Sequence, residues 1–576
     1  MSAQSDKPAP ANRPLSELAE SLVRYSEDLQ ALNKKYAAPF STQRDNRLRE
    51  FWLQQQMDLA GINFEALSTG GKVDYALMAE QLRYELQRQN DEREKDRRAI
   101  RLVPSVDQLV NLLEQHQTQY DLDGKPVAQC FTKVTESLSN LNDGIQQLRD
   151  QPIASTDAQT RFDALRAAKK IDELRRQLAA MNKFYDGYDP EYSWWVRRPF
   201  AALDKSLADH ANMLRKDVLG VASNDKDTIV GQPIGQSALQ NELRHELIRY
   251  TPQQLVRIAQ QQFQWCDREM DLAAKEMGFD DWRDAQEKVK NAHVQPGDQP
   301  DLIRTLANEA ADFLEQRDLL TIPRLAREGW RMQMMSPEAQ RVNPYFLGGE
   351  SIIVSFPTDT MTHAEKLMSM RGNNEHFARA TVHHELIPGH HLQQFMTRRY
   401  RPDREIFWTP FWMEGWALYW EMRLWDLGFA RSPEDRIGML FWRKHRCARI
   451  IFSLNYQLGE WTPQQCIDFL VQRVGHERKN ATAEVRRSVM GGYSPLYQAA
   501  YMLGGLQIRS MHEDLVRNGK MSERTFHDTI LQEGTMPITA LRSILYDDPP
   551  TKNGFKRWDF QGDPSSRLQS DQDNPR

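Results

Sequence analysis

Apolar residues recur at three- and four-residue intervals through most of the first 290 residues, each time with a charged face opposite. That period belongs to helices. The runs Leu15 to Tyr36, Phe51 to Leu59, Asp74 to Asn90, Val106 to Gln117, Phe131 to Leu148 and Asp157 to Asn182 carry it. Thr251-Pro252 reads as the start of another helix reaching Lys290, because the first turn of a helix has no use for the amide hydrogen that proline lacks. No sequence repeat of fixed period is present. The expected fold class is mainly α.

A chain of 576 residues can bury a large core. No low-complexity linker divides it, so one intertwined unit or two lobes around a cleft is expected. The lobes would be 15–290 and 300–548, flanked by polar tails at 1–14 and 549–576, with Asn291 to Pro300 as the hinge. Gly220 to Gln236 is long enough to suggest a binding loop. With 75 basic and 80 acidic side chains the net charge is −5, too mild for a nucleic-acid partner or an anionic membrane surface. Basic pairs such as Arg398-Arg399 and Arg443-Lys444 read as solvated faces. Even the aromatic region 407–426 carries Glu414, Glu421, Arg423 and Asp426, so no membrane insertion is expected. Cys130, Cys266, Cys447 and Cys466 show no paired spacing and fit a reducing compartment. Met1 to Asn12 has no apolar leader. A cytoplasmic protein is expected, or a periplasmic one if a leader has been removed.

Between Asn343 and Thr358 the pattern changes. Tyr345-Phe346-Leu347 and Ser351 to Phe356 are strand-like and separated by Gly348-Gly349. A small sheet is therefore expected just before a histidine-rich helix. An exposed edge carrying Ile353 and Ser355 would hold an extended peptide by backbone hydrogen bonds. A plain structural hairpin is the alternative.

The segment Thr381 to Gln393 holds four of the fourteen histidines around Glu385. Zinc takes neutral imidazoles and carboxylates and leaves one position for water, whose proton a nearby carboxylate can accept. The spacing is unusual, because the residue four after His384 is Pro388. On a straight helix His390 would lie about 120° around from His384, and His391 about 10 Å along the axis. Neither pair could share one ion. Pro388-Gly389 therefore predicts a kink, and looping out two residues would bring His390 to the place one turn after His384. His383 and His391 read as neighbours of the site. The His-Glu dipeptide itself carries no weight, since it also occurs at His245, His476 and His512, which read as solvated helix residues.

Glu414 sits in Phe411 to Glu421, a stretch so apolar that a carboxylate there is costly unless paired or metal-bound. Gly415 and Ala417 would let this helix approach another closely. A third ligand delivered across a helix pair would look like this; the alternative is an interfacial helix whose Glu414 and Glu421 face water.

Together, HExxPGHHxQ and EGWAxYxE resemble the bacterial family catalogued as domain of unknown function 885, which is similar in its site to the glutamate zincins. Tyr250 to Leu255, and Phe526-His527-Asp528 with Gly534, carry the likeness further, from about Leu15 to Asp547. The resemblance implies His384, His390 and Glu414 as ligands of zinc and Glu385 as general base. It also implies a mainly α, zincin-like metallopeptidase with a small sheet beside the active-site helix, 300–548 being the catalytic lobe, and a peptide substrate. One half of the pattern departs: in Glu484 to Ser488 and Tyr493 to Gly504, Arg487 and Tyr501 fall in register, but Ser488 replaces an aromatic and Tyr497 a glutamine. Tyr501 is the expected oxyanion donor, with Arg487 and Tyr497 as rivals; Tyr497 is also a candidate substrate contact. A zinc hydrolase of another amide or an ester would use the same site. A non-catalytic peptide-binding protein on a peptidase fold is the remaining alternative.

Overall fold

The structure is a computed structural model that describes residues 14–119, 121–148, 158–221, 228–340 and 345–561. Most of both expected tails, residues 222–227 of the expected binding loop, Asp157, and residues 341–344 lie outside the described residues. The chain is mainly helical, with one sheet of two strands among the described residues. No described helix is long and apolar enough to cross a membrane.

Two compact units divide the chain. One contains residues 23–62 and 79–231 and is held by side chains such as Leu113, Phe131, Leu138, Leu174, Tyr192, Val196 and Leu207, all buried. Its helices follow the periodic runs closely: Val106–Gln119, Gly124–Leu148 and Ala158–Tyr185.

The other unit contains residues 1–22, 63–78 and 232–576 and carries the histidine segment. Residues 232–290, assigned by the sequence to the first lobe, thus belong with 300–548. The cause is helix α1 (Pro252–Glu276), begun by the expected Thr251 cap, whose apolar face of Leu255, Ile258, Phe263 and Met270 lies against a long core helix described below.

Helix α2 (Gln299–Gln316) is followed by strands β1 (Arg331–Met334) and β2 (Ser351–Val354), which pair in parallel with Gln333 opposite Ile353. The expected strand at Tyr345 to Leu347 contributes only one antiparallel bridge, Leu347 to Ile353. Arg331–Met334 is the true partner. It escapes sequence reading because its side chains are mostly exposed and show no apolar alternation. Helix α3 (Glu375–Glu385) shares a buried cluster with the sheet and α2 through Ile303, Leu306, Ile352, Val354, Ala378 and Val382. The sheet therefore does lie beside the histidine helix.

Helices α4 (His390–Tyr400), α5 (Pro410–Asp426), α6 (Pro433–Gln457), α7 (Arg478–Met490) and α8 (Tyr497–Leu515) complete the surroundings. α6 is buried along almost its whole length, Arg443 and Lys444 included, so that pair is not a solvated face. Two of its charges are paired, Lys444 with Asp267 at 2.7 Å and Arg449 with Glu484 at 2.7 Å, while Arg443 lies over the Trp265 ring. Two other residues expected in solvent are also buried: His476, bonded to Tyr345 and His445, and His512, bonded to Glu523. Helices α5 and α8 touch backbone to backbone at Gly415 and Gly504. A Cβ on Gly504 would stand 2.1 Å from the Phe411 carbonyl oxygen.

Candidate metal centre

Helix α3 ends at Glu385 and α4 begins at His390. Across the break two amides reach six residues back instead of four. The Gly389 N–H donates to the His383 carbonyl at 3.0 Å, and the Leu392 N–H to the Leu386 carbonyl at 3.2 Å. Each therefore spans two residues more than an α-helical bond does, which is the looping-out that Pro388-Gly389 predicts. The Ile387–Pro388 peptide bond is cis. The Trp416 indole of α5 donates to the Pro388 carbonyl at 2.8 Å. Gly389 has no room for a side chain, since a Cβ there would lie 1.7 Å from the His384 carbonyl oxygen.

As a result His384 and His390 face each other, with ring centroids 4.8 Å apart and planes at 86°. Both aim Nε2 at one oxygen of Glu414, at 3.3 Å and 3.1 Å. The three donor atoms all lie within 4.8 Å of one another. His384 Nδ1 lies 2.6 Å from Glu421 Oε1, which also accepts from Arg446 at 3.2 Å. An acceptor at Nδ1 assigns the proton there and leaves the Nε2 lone pair facing the centre. Burial opposes the Glu414 charge, yet His390 and His384 hold its carboxyl well below the usual range. Burial likewise opposes a charge on His384, but Glu414 and Glu421 raise it to about 9. Two imidazoles and a carboxylate converging on one point, in a setting that favours positive charge, fit a divalent cation of the zinc type.

Glu385 lies beside this point, its Oε2 4.0 Å from His390 Nε2. Burial pushes its carboxyl above the ordinary range while His384 and His390 pull it back. Gly348 roofs it: a Cβ at that position would stand 2.3 Å from Glu385 Oε2. A cavity of 290 Å³ opens there, lined by Glu385, both histidines and Glu414, and also by Ile353, Arg487, Tyr497 and Tyr501. The Tyr497 hydroxyl donates to Glu414 Oε1 at 2.5 Å. Tyr501 stacks on His384 at 6.1 Å, and no hydrogen bond among the described residues engages its hydroxyl.

Some expected site residues are elsewhere. Ser355 is buried apart from the cavity, bonded to Gln340 and Gln299. Ile353 lines the cavity with its side chain, but its own N–H and C=O are spent on Leu347, at 2.7 Å and 3.0 Å. His383 bonds to the Arg379 carbonyl, and burial lowers it to about 4. His391 spans the Gly349 and Ala326 carbonyls.

The family model described as "Bacterial protein of unknown function (DUF885)" matches residues 26–545. The chain belongs to the DUF885 family. No curated protein matches this DUF885 chain. Two solved structures share its fold, both named "putative lipoprotein". One, of unknown function and from Shewanella oneidensis, is 15% identical over 92% of this chain and 100% of its own, with a TM-score of 0.62. The other, from Colwellia psychrerythraea, is 16% identical over 92% of this chain and 98% of its own, with a TM-score of 0.58.

Sequence reasoning about this DUF885 protein undervalued Glu421, whose alternative placement in water is ruled out together with that of Glu414: the two are only 5% and 3% exposed. The signal was present, since seven residues is two helical turns and puts both carboxylates on one face. Arg446 and Arg449 were also missed, because their helix looks amphipathic only when its buried partners are known. Exchanging Glu421 for glutamine is expected to weaken metal affinity about 10- to 100-fold, read by competition with a chelating dye; unchanged affinity would make its bond to His384 incidental. A second group, His512, Glu523 and His527, also gathers within 4.8 Å. Tyr419 and the Leu319 carbonyl occupy both His527 nitrogens, and Arg423 pairs with Glu523. That group is a hydrogen-bonded part of the core.

Proposed function

We propose that this DUF885 chain is a zinc-dependent peptidase with a zincin-like site. The observation that carries the reading is the convergence of His384, His390 and Glu414 across a helix break, with Glu385 alongside. His384, His390 and Glu414 would hold a zinc ion, which would supply Lewis acidity and bring the pKa of a water down to about 7. Glu385 takes the proton from the attacking water and passes it to the leaving amine, work suited to a carboxyl held above its ordinary range. Tyr501, its hydroxyl uncommitted, donates to the developing oxyanion. Tyr497 fixes the orientation of Glu414, and Glu421 that of His384. The names of the two structural neighbours support a place of action outside the cytoplasm.

The test is digestion of a mixed peptide library, read by mass spectrometry, with and without a chelator, alongside metal analysis of the protein. Cleavage lost to the chelator and restored by zinc is the expected result. Protein that retains no zinc would favour a non-catalytic binding protein. Zinc without peptide cleavage would favour hydrolysis of another amide or an ester.

A further inference from the structure

The cavity beside the candidate metal centre carries more positive charge than its own carboxylates match. Of its three arginines, Arg446 is met by Glu421 at 3.2 Å and Arg449 by Glu484 at 2.7 Å. Arg487 has no carboxylate within ion-pair distance among the described residues, and its Nε is buried without an acceptor. What it touches is the ring of Tyr493, at 4.8 Å. Arg449 is only 2% exposed, and its Nη1 is likewise without an acceptor. Glu414 and Glu385 would be balanced by a divalent cation, and Glu484, whose field reaches Arg487, is paired directly with Arg449, so Arg487 is left without a direct partner. Buried guanidinium hydrogens are rarely left unmet, and the group that meets them best is a planar carboxylate, which accepts two parallel N–H bonds.

Size narrows the source. At 290 Å³ the cavity falls at the small end for a ligand site, and the segment from Tyr345 to Gly348 lines one side of it. Such a space suits the end of a peptide better than an extended chain passing through in both directions.

We propose that Arg487, with Arg449 beside it, receives the free α-carboxylate of a peptide's C-terminal residue, which makes the chain an exopeptidase acting from the C terminus. The direction of cleavage rests on the peptidase reading; the carboxylate site does not. Arg487 is then a specificity residue, leaving Tyr501 as the oxyanion donor.

Binding separates the two. Zinc-loaded protein carrying Glu385→Gln is titrated calorimetrically with penta-alanine as the free acid, penta-alanine amide, and a pentapeptide amide with aspartate at its centre. The free acid is expected to bind about 10- to 100-fold more tightly than its amide. Adding Arg487→Ala should reduce that preference to within about twofold, and Arg487→Lys should keep part of it, with circular dichroism confirming that each variant is folded. Equal binding of acid and amide, or a preference that survives Arg487→Ala, would overturn the proposal. Aspartate-containing amide binding as tightly as the free acid would do so too, by making an acidic side chain the ligand. If wild-type protein cleaves no peptide yet the carboxylate preference stands, the peptidase reading fails and the anion site remains.

Discussion

With glutamine in place of Glu385, turnover is expected to fall by about 10²–10⁴-fold or more while metal content stays unchanged. Glutamine fills the same space beneath Gly348, so no cavity opens and the roof over the site need not move. Its amide cannot accept a proton from water. The exchange should not weaken the fold. Burial raises the Glu385 carboxyl, which means the folded chain holds that proton more tightly than the unfolded chain does. The cost of ionising it therefore appears as pH rises above the ordinary carboxylate value, and a neutral side chain removes that cost. Metal-free protein with Glu385→Gln should thus melt at the same temperature or higher near neutral pH. Peptide cleavage at the wild-type rate would remove Glu385 from the mechanism.

A methyl group at position 389 is expected to do nearly as much damage without touching any reacting group. In Gly389→Ala the new Cβ would overlap the His384 carbonyl oxygen and lie 2.7 Å from that of His383. Both neighbours are backbone and cannot rotate away. Relief requires the Leu386 to Gly389 segment to move, and His390 moves with it. A loss of about 3 kcal/mol or more in stability is expected, together with a fall in metal affinity beyond about 100-fold, since a displaced ligand costs more than a displaced supporting residue. Gly329→Ala is the control, because nothing lies within 4 Å of a Cβ there. Thermal melts and metal titration of the two variants make the comparison; equal behaviour would mean that the tight crossing at His384 is not what holds His390 in place.

Local features were the most legible in the sequence. Val106 was placed correctly as a helix start, and Pro388-Gly389 marked both the break and the number of residues it would absorb. What escaped depends on contacts distant along the chain. Arg331–Met334 becomes a strand only because β2 offers it a parallel partner. Arg443-Lys444 looked solvated because neither residue reveals that α1 covers it with Asp267 and Trp265. Ser355 was expected to share a strand face with Ile353, but β2 ends at Val354 and Gln340 claims the Ser355 hydroxyl. Among the chemical groups, each histidine and Glu414 could be singled out by neighbours in sequence, whereas the surplus charge of Arg487 appears only once Glu484 is seen to be taken by Arg449.

The meeting of Gly415 with Gly504 bears on how this centre can move. One helix brings Glu414 and Glu421, the other Tyr497 and Tyr501, and the spacing between them is fixed by main-chain atoms with no side chain interposed to act as a cushion. Such a joint cannot close further without atoms colliding. Closer approach of the two helices at this crossing is therefore barred, and that limit keeps the Tyr497 phenol in register with the Glu414 carboxylate it donates to.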